Sequence, residues 1–243
     1  MDSIVDYDSS SSEEDQDRKD IGLKRSLPED RRTSKRQALP KLPTFFSPIV
    51  PHDSVDYQGR VRSKPAVMNN WATHVYLQVK PKDTIGAVVS LVLTEDVRPV
   101  DSPHISLSKC LYLKEHETPS YASAIRDALK STKSFVLSFA QLALLTNEDK
   151  TRSFLTAEIG RGYQELTKCM EAVDRVNKKF NQPLFYQPPR FHASIAWSLK
   201  ESSIEKALDK IPEELITSLR HEEIVAAMVY VKSGDRLVAC KLE

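Results

Sequence analysis

The sequence predicts an α+β domain of two pseudo-symmetric lobes, mainly antiparallel sheet plus helices, around a central cleft. Three observations lead there. Strand-like and helix-like stretches interleave without the regular alternation of a doubly wound parallel sheet. The order strand, helix, polar-faced strand occurs twice, over Trp71 to Ser108 and again over Phe154 to Trp197. Each polar-faced strand carries a His-x-Ser tripeptide entered from proline, in Ser102-Pro103-His104-Ile105-Ser106 and in Pro188-Pro189-Arg190-Phe191-His192-Ala193-Ser194. The echo lies in the order of elements and not in residue identity between the halves.

Residues 1–65 read as a disordered tail, and 66–243 as the bilobal domain. Ser9 to Ser12 followed by Glu13-Glu14-Asp15 is low-complexity and acidic, and prolines recur from Pro28 to Pro65. Between them Lys24-Arg25, Arg31-Arg32 and Lys35-Arg36 form a basic stretch. It reads as a two-part nuclear import signal or as a linker whose charges offset the acidic run.

Trp71 to Val79 alternates with Trp71, Thr73, Val75, Leu77 and Val79 on one face, a strand pattern. His74 falls on the other face with no serine two residues on, and is read as structural. Asp83 is placed to cap a helix running to about Thr94, with Ile85, Val88, Val89 and Val92 on its apolar side. Leu111-Tyr112-Leu113 extends the first His-x-Ser strand, and Tyr121 to Leu129 reads as a helix. Phe135 to Leu145 and Phe154 to Ile159 are strand-like, separated by the polar turn Thr146 to Arg152. Leu166, Met170, Val173, Val176 and Phe180 recur at helical spacing, so 162–180 is an amphipathic helix. Ser202 with Glu205 resembles a capping box for a short helix ending near Pro212. Ile224 to Val231 and Leu237 to Leu242 flank Ser233-Gly234-Asp235 as a hairpin.

Successive strand residues point to opposite faces, so His192, Ser194 and Ala196 share one face, as do His104, Ser106 and Ser108. Two imidazoles divide acid and base work, one neutral and one charged, and each serine donates to a phosphate oxygen between them. RNA suits such a site because its own 2′-hydroxyl is the nucleophile, leaving positioning and charge stabilisation to the protein. The tripeptide alone also fits two unrelated, hydrogen-bonded strand histidines.

With a net charge of +1, no global field draws the chain to nucleic acid, and any such binding uses a local patch. Cys110, Cys169 and Cys240 are odd in number and lack metal spacing, which suits a reducing compartment. The motifs offer serine where a metal site needs a further histidine or carboxylate, so neither metal nor cofactor is expected. No apolar run has the length of a membrane span and no secretory signal is visible. A monomer is expected, since no heptad or apolar seam lies outside the core. His116 and His221 sit beside glutamates in polar segments and are read as surface residues, and Trp71 and Trp197 as core.

The paired His-x-Ser strands resemble the 2H phosphoesterase superfamily, and within it the U6 small nuclear RNA phosphodiesterase family. The resemblance covers most of 70–243. It rests on His104-Ile-Ser-Leu-Ser108, Thr146-Asn-x-x-Lys-Thr-Arg152, Glu171-Ala-Val-Asp-Arg-Val176 and Phe185-Tyr186-x-x-Pro-x-Phe191-His192-x-Ser-x-Ala-Trp197. The opening Tyr7 to Asp15 looks like the family's tail. The resemblance implies a nuclear, metal-independent 3′-to-5′ exoribonuclease acting on the single-stranded, oligo(U) 3′ end of U6 RNA. The penultimate 2′-hydroxyl attacks the adjacent phosphate, the terminal nucleoside leaves, and a 2′,3′-cyclic phosphate remains, which some members open to a monophosphate. By the same resemblance His192 is the base and His104 the acid, Ser106 and Ser194 hold phosphate oxygens, and Tyr186 stacks on a terminal base. Arg190, Phe191 and Ala193 line the nucleotide site, partly through backbone. Glu148 stands at a base-contacting turn where relatives have an amide, and a carboxylate accepts there but does not donate. Two alternatives stay open: a 2′,3′-cyclic phosphodiesterase on other RNA, and a non-catalytic RNA-binding spliceosomal protein.

Overall fold

A computed structural model describes residues 69–80 and 83–243. The tail, its acidic and basic runs and the boundary at residue 65 lie outside these residues. In chain order the elements are β1 (Asn70–Gln78), α1 (Asp83–Val92), β2 (Arg98–Pro99), β3 (His104–Ser106), β4 (Leu111–Lys114) and α2 (Thr118–Leu129). There follow β5 (Phe135–Leu137), β6 (Phe139–Thr146), β7 (Ser153–Ile159), α3 (Tyr163–Lys179) and β8 (His192–Ser198). The chain closes with α4 (Glu201–Leu208), α5 (Glu213–His221), β9 (Ile224–Ala226), β10 (Met228–Ser233) and β11 (Arg236–Lys241).

Among the described residues the main sheet has nine strands, in the order β11-β10-β1-β3-β8-β7-β6, with β4 beside β1 and β2 beside β8. Its pairings are antiparallel. The two lobes are therefore halves of one sheet: β1 with β3 mirrors β7 with β8, and a pseudo-twofold axis passes between β3 and β8. Those central strands meet through Ile105 and Ala193.

Alternation decides which face is core. Val75, Leu77, Ile105, Ala193 and Ile195 are buried with Ile85, Val88, Leu166, Met170 and Val173 of α1 and α3. The opposite face of the central strands keeps His74, Tyr76, His104, Ser106, His192 and Ser194 half-buried. Leu111-Tyr112-Leu113 does follow the first motif along β1, but as a separate strand. Leu107 and Ser108 both donate their backbone N–H to the Val75 carbonyl, at 2.8 and 3.2 Å, a bulge that breaks the ladder. Ser108 accordingly leaves the alternation: its Oγ accepts from the Val75 N–H at 2.9 Å and donates to the Lys109 carbonyl at 2.8 Å.

Three local expectations change. Ser202 lies inside α4, whose N-cap is Lys200, so no Ser202 capping box forms. Instead Ser198 Oγ accepts from the Lys200 N–H at 3.0 Å. α4 ends at Leu208, and Pro212 is the N-cap of α5, because its fixed φ suits a helix entrance. Phe135 to Leu145 divides at Ser138 into β5, which pairs with β9, and β6, which pairs with β7.

The β10–β11 hairpin turns at Gly234, with φ +55°, where an added Cβ would stand 2.3 Å from the Trp71 ring. Gly234→Ala combines an unfavourable φ with overlap against an aromatic ring. We expect it to destabilise the domain by about 2–4 kcal/mol, read as a lowered urea midpoint at unchanged m.

Candidate active site

The register through Ile105 and Ala193 sets Ser106 beside His192 and His104 beside Ser194 on one face of adjacent antiparallel strands. The two histidines are oriented alike. His104 Nδ1 donates to the Ser102 carbonyl at 3.0 Å, and His192 Nδ1 to the Arg190 carbonyl at 2.8 Å. A carbonyl only accepts, so Nδ1 carries the proton in both rings and Nε2 is the atom left for chemistry. In each half the partner lies two residues back, the same device repeated across the pseudo-twofold.

The halves differ in what faces each histidine. Across β1 His104 meets Gln78, a neutral amide, whereas across β7 His192 meets Glu158. Burial pushes the Glu158 carboxyl up, but hydrogen bonds from Gln141 and Arg190 and the Arg190 charge outweigh it, holding the group below its usual range. The Arg190 guanidinium pairs with the Glu158 carboxylate through Nε. His192 lies below the ordinary imidazole value, chiefly through burial and further through the Arg190 charge and nearby His104. Its bond to the Arg190 carbonyl and the Glu158 charge oppose the shift.

A cleft of about 430 Å³ lies over this face, with Ser106, Ser194, His192, Arg190, Tyr186 and Glu148 in its walls. Tyr186 is 43 % exposed, and Lys109 Nζ lies 4.0 Å from its ring centroid. Lys109 Nζ is also 4.0 Å from the Glu148 carboxylate. Burial raises the Tyr186 phenol, and the Glu148 charge and a hydrogen bond to Glu148 raise it further. Glu148 thus reaches the cleft, but engaged with a phenol and an ammonium group. Asn147 holds this turn: its Oδ1 accepts from the N–H groups of Thr151 and Arg152 at 2.9 and 3.0 Å.

The side chains of Phe191 and Ala193 turn away from the cleft. Both side chains are buried in the core, Phe191 stacked on Phe185 at 5.8 Å, because they alternate with His192 and Ser194. The Phe191 carbonyl accepts from the Ile159 N–H at 3.0 Å.

Residues 43–241 match a family model described as HVSL, an uncharacterised conserved protein. U6 snRNA phosphodiesterase 1 of Drosophila melanogaster is 30 % identical over 224 residues, covering 84 % of this chain and 86 % of the relative. The Homo sapiens protein of that name is 30 % identical over 204 residues, covering 79 % and 77 %. The chain belongs to the U6 snRNA phosphodiesterase family. Kluyveromyces marxianus Usb1, solved with uridine monophosphate, shares the fold at a TM-score of 0.54 and 16 % identity, over 72 % of this chain and 99 % of that one.

Within this family fold, four polar residues at the site escape sequence reasoning. Lys109 and Glu158 are two, seen only once strands are paired. Asp174 on α3 accepts the Phe185 N–H at 3.0 Å and anchors the segment that presents Tyr186. His74 Nε2 lies 3.1 Å from Ser106 Oγ, and the ring packs edge-on to His104 with centroids 5.1 Å apart. A signal for His74 was available: it occupies the polar face of β1, the face that the two motifs use.

Proposed function

We propose that this chain is a metal-independent RNA phosphodiesterase that shortens the oligo(U) 3′ end of U6 snRNA by attack of the RNA's own 2′-hydroxyl. The observation that carries the reading is the crosswise set of two histidines and two serines, each imidazole held in the tautomer that offers Nε2. The curated relatives bear the name U6 snRNA phosphodiesterase, and the yeast fold relative was solved with uridine monophosphate, a substrate class that fits this cleft.

In this reading His192 Nε2 takes the proton of the penultimate 2′-hydroxyl as its oxygen bonds to phosphorus. The bond from phosphorus to the terminal 5′-oxygen breaks, and protonated His104 gives that oxygen its proton. A shortened RNA with a 2′,3′-cyclic phosphate and a free nucleoside result. Burial suits His192 to the base role because it favours the neutral ring. Ser106 and Ser194 donate to the non-bridging oxygens as charge builds there, and Tyr186 supplies a stacking surface for the terminal base. The step leaves His192 charged and His104 neutral. Those are the states in which water could open the cyclic ester with the roles exchanged, by microscopic reversibility. A nuclear, monomeric enzyme acting on single-stranded RNA completes the reading.

Arg190 has a share in this chemistry through Glu158. Arg190→Gln removes a charge that lowers the His192 pKa and frees a carboxylate that raises it. The ascending limb of kcat/KM against pH should move to higher pH by roughly half to one unit, a modest shift because the pair is partly exposed. A limb that stays in place or moves down would contradict the assignment of His192 as base.

The test of the reading is incubation with 5′-labelled RNA ending in several uridines, in the presence of chelator, beside the same RNA ending in a 2′,3′-cyclic phosphate. Stepwise shortening of the 3′-hydroxyl RNA supports it. Action on the cyclic end alone would make the protein a cyclic phosphodiesterase, and action on neither would remove the catalytic reading.

A further inference from the structure

His74 is a half-buried titratable group that a two-histidine mechanism does not use, and it touches both polar groups of the first motif. Its Nε2 meets Ser106 Oγ at 3.1 Å, and its ring stands edge-on to His104 and stacks on Tyr76 at 5.4 Å. The titratable and charged groups around it come from several elements. On β1 there is Tyr76, itself against Tyr230 of β10, and on β3 there is His104. Lys232 lies opposite His74 on β10. Lys109, Glu148, Asp149, Arg190 and His192 line the same cleft.

Burial, and then the nearby His104, push the His74 ring down to about 4, while a hydrogen bond to the Ser108 backbone pulls the other way. The ring is therefore neutral around pH 7 and has one N–H to give. A backbone bond that favours the charged ring is a bond to a carbonyl, so that N–H is committed to Ser108 and Nε2 accepts the Ser106 hydroxyl. The Ser106 proton thus points at His74, away from where a phosphate would sit.

A phosphate reverses the demand on Ser106. When the hydroxyl turns to donate to an anionic oxygen, Oγ and Nε2 are left facing each other as two buried acceptors, which is unfavourable. A proton on Nε2 restores the bond with its direction reversed and sets a positive charge behind the serine.

We propose that His74 is a positioning residue for phosphate: it holds the Ser106 hydroxyl before phosphate binds and, in mildly acidic solution, takes up a proton when that hydroxyl turns to a phosphate oxygen. The proton comes from solvent and returns there when the phosphate leaves. The proposal rests on the reading of this cleft as a phosphodiester site. A phosphodiester charge about 6 Å away, beyond Ser106, raises the His74 pKa from about 4 by roughly two units at an effective dielectric of ~20, so the ring gains its proton between about pH 4 and pH 6 and stays mostly neutral at pH 7.

The experiment is a pH titration of the ring resonances of imidazole-labelled protein, with and without a saturating dinucleotide of 2′-deoxyuridine. That diester keeps a constant charge and lacks the attacking hydroxyl. His74→Phe assigns the signal and keeps a ring in place, with His74→Gln as the second variant if the first does not fold. The expected result is a His74 midpoint raised by at least the roughly two units that the phosphate charge alone supplies, with only that charge contribution left in Ser106→Ala. A His74 midpoint that stays put while other ring signals of the cleft respond would overturn the proposal and leave the phosphodiesterase reading standing. If the diester perturbs no ring signal of the cleft, that reading fails together with it.

Discussion

His192→Ala should lower kcat by about a thousandfold while leaving the domain folded. The figure is the usual worth of a positioned general base, and it is a lower bound where base and acid act in one step. The side chain is half-buried, and its Nδ1 hydrogen bond runs to the Arg190 carbonyl, at the edge of the cleft. Its removal therefore costs the fold little. His104→Ala should produce a loss of similar size, and the double variant should be little worse than either single one, because the two imidazoles serve one proton circuit. Circular dichroism with single-turnover rates on labelled oligo(U) checks this. A folded His192→Ala enzyme with near-normal rates would place the chemistry elsewhere.

Ser194→Ala carries the second large effect. A hydroxyl aimed at an oxygen that gains charge in the transition state contributes more there than in the ground state. The loss of about a hundredfold should fall on kcat, with KM changed only a few times. Ser194 stands beside His104 in the cross-strand register and opposite Thr156 on β7. Ser194→Thr keeps the hydroxyl and should recover part of the rate if the added methyl is accommodated. A Ser194→Ala loss confined to KM would instead make this serine a ground-state binder.

The two motifs were legible in the sequence because a strand has a period of two. His-x-Ser on an apolar-alternating strand fixes a polar face without reference to anything distant, and both strands were placed correctly. Alternation also set the Phe191 and Ala193 side chains on the opposite face, in the core. What the sequence hid was pairing. His74 looks unmotivated until β1 and β3 are aligned, when its ring meets Ser106 and His104. Glu158 gains meaning only opposite His192, and Asp174 only where α3 passes the Phe185 N–H. The Thr146 to Arg152 motif holds Asn147, whose staple shapes the turn behind Glu148. Pro212 misled for a local reason, since the ring geometry that stops a helix also suits the entrance to one, and here it opens α5.

The division of roles between the histidines rests on an asymmetry that sequence could not show. Both rings are tied to a carbonyl two residues back, but only His192 faces a carboxylate, and Arg190 neutralises it. Without Arg190, Glu158 would favour a charged His192, a poorer base at neutral pH.

The most direct test of 2′-hydroxyl attack at the paired-histidine cleft compares two oligo(U) substrates that differ by one oxygen. One is all-ribose, and the other has a 2′-deoxy residue at the penultimate position. The account predicts stepwise shortening of the first, a cyclic-phosphate product by mass spectrometry before any ring opening, and no release of the terminal nucleoside from the second. Equal shortening of both would mean that water or another group attacks the phosphate, and would contradict the mechanism.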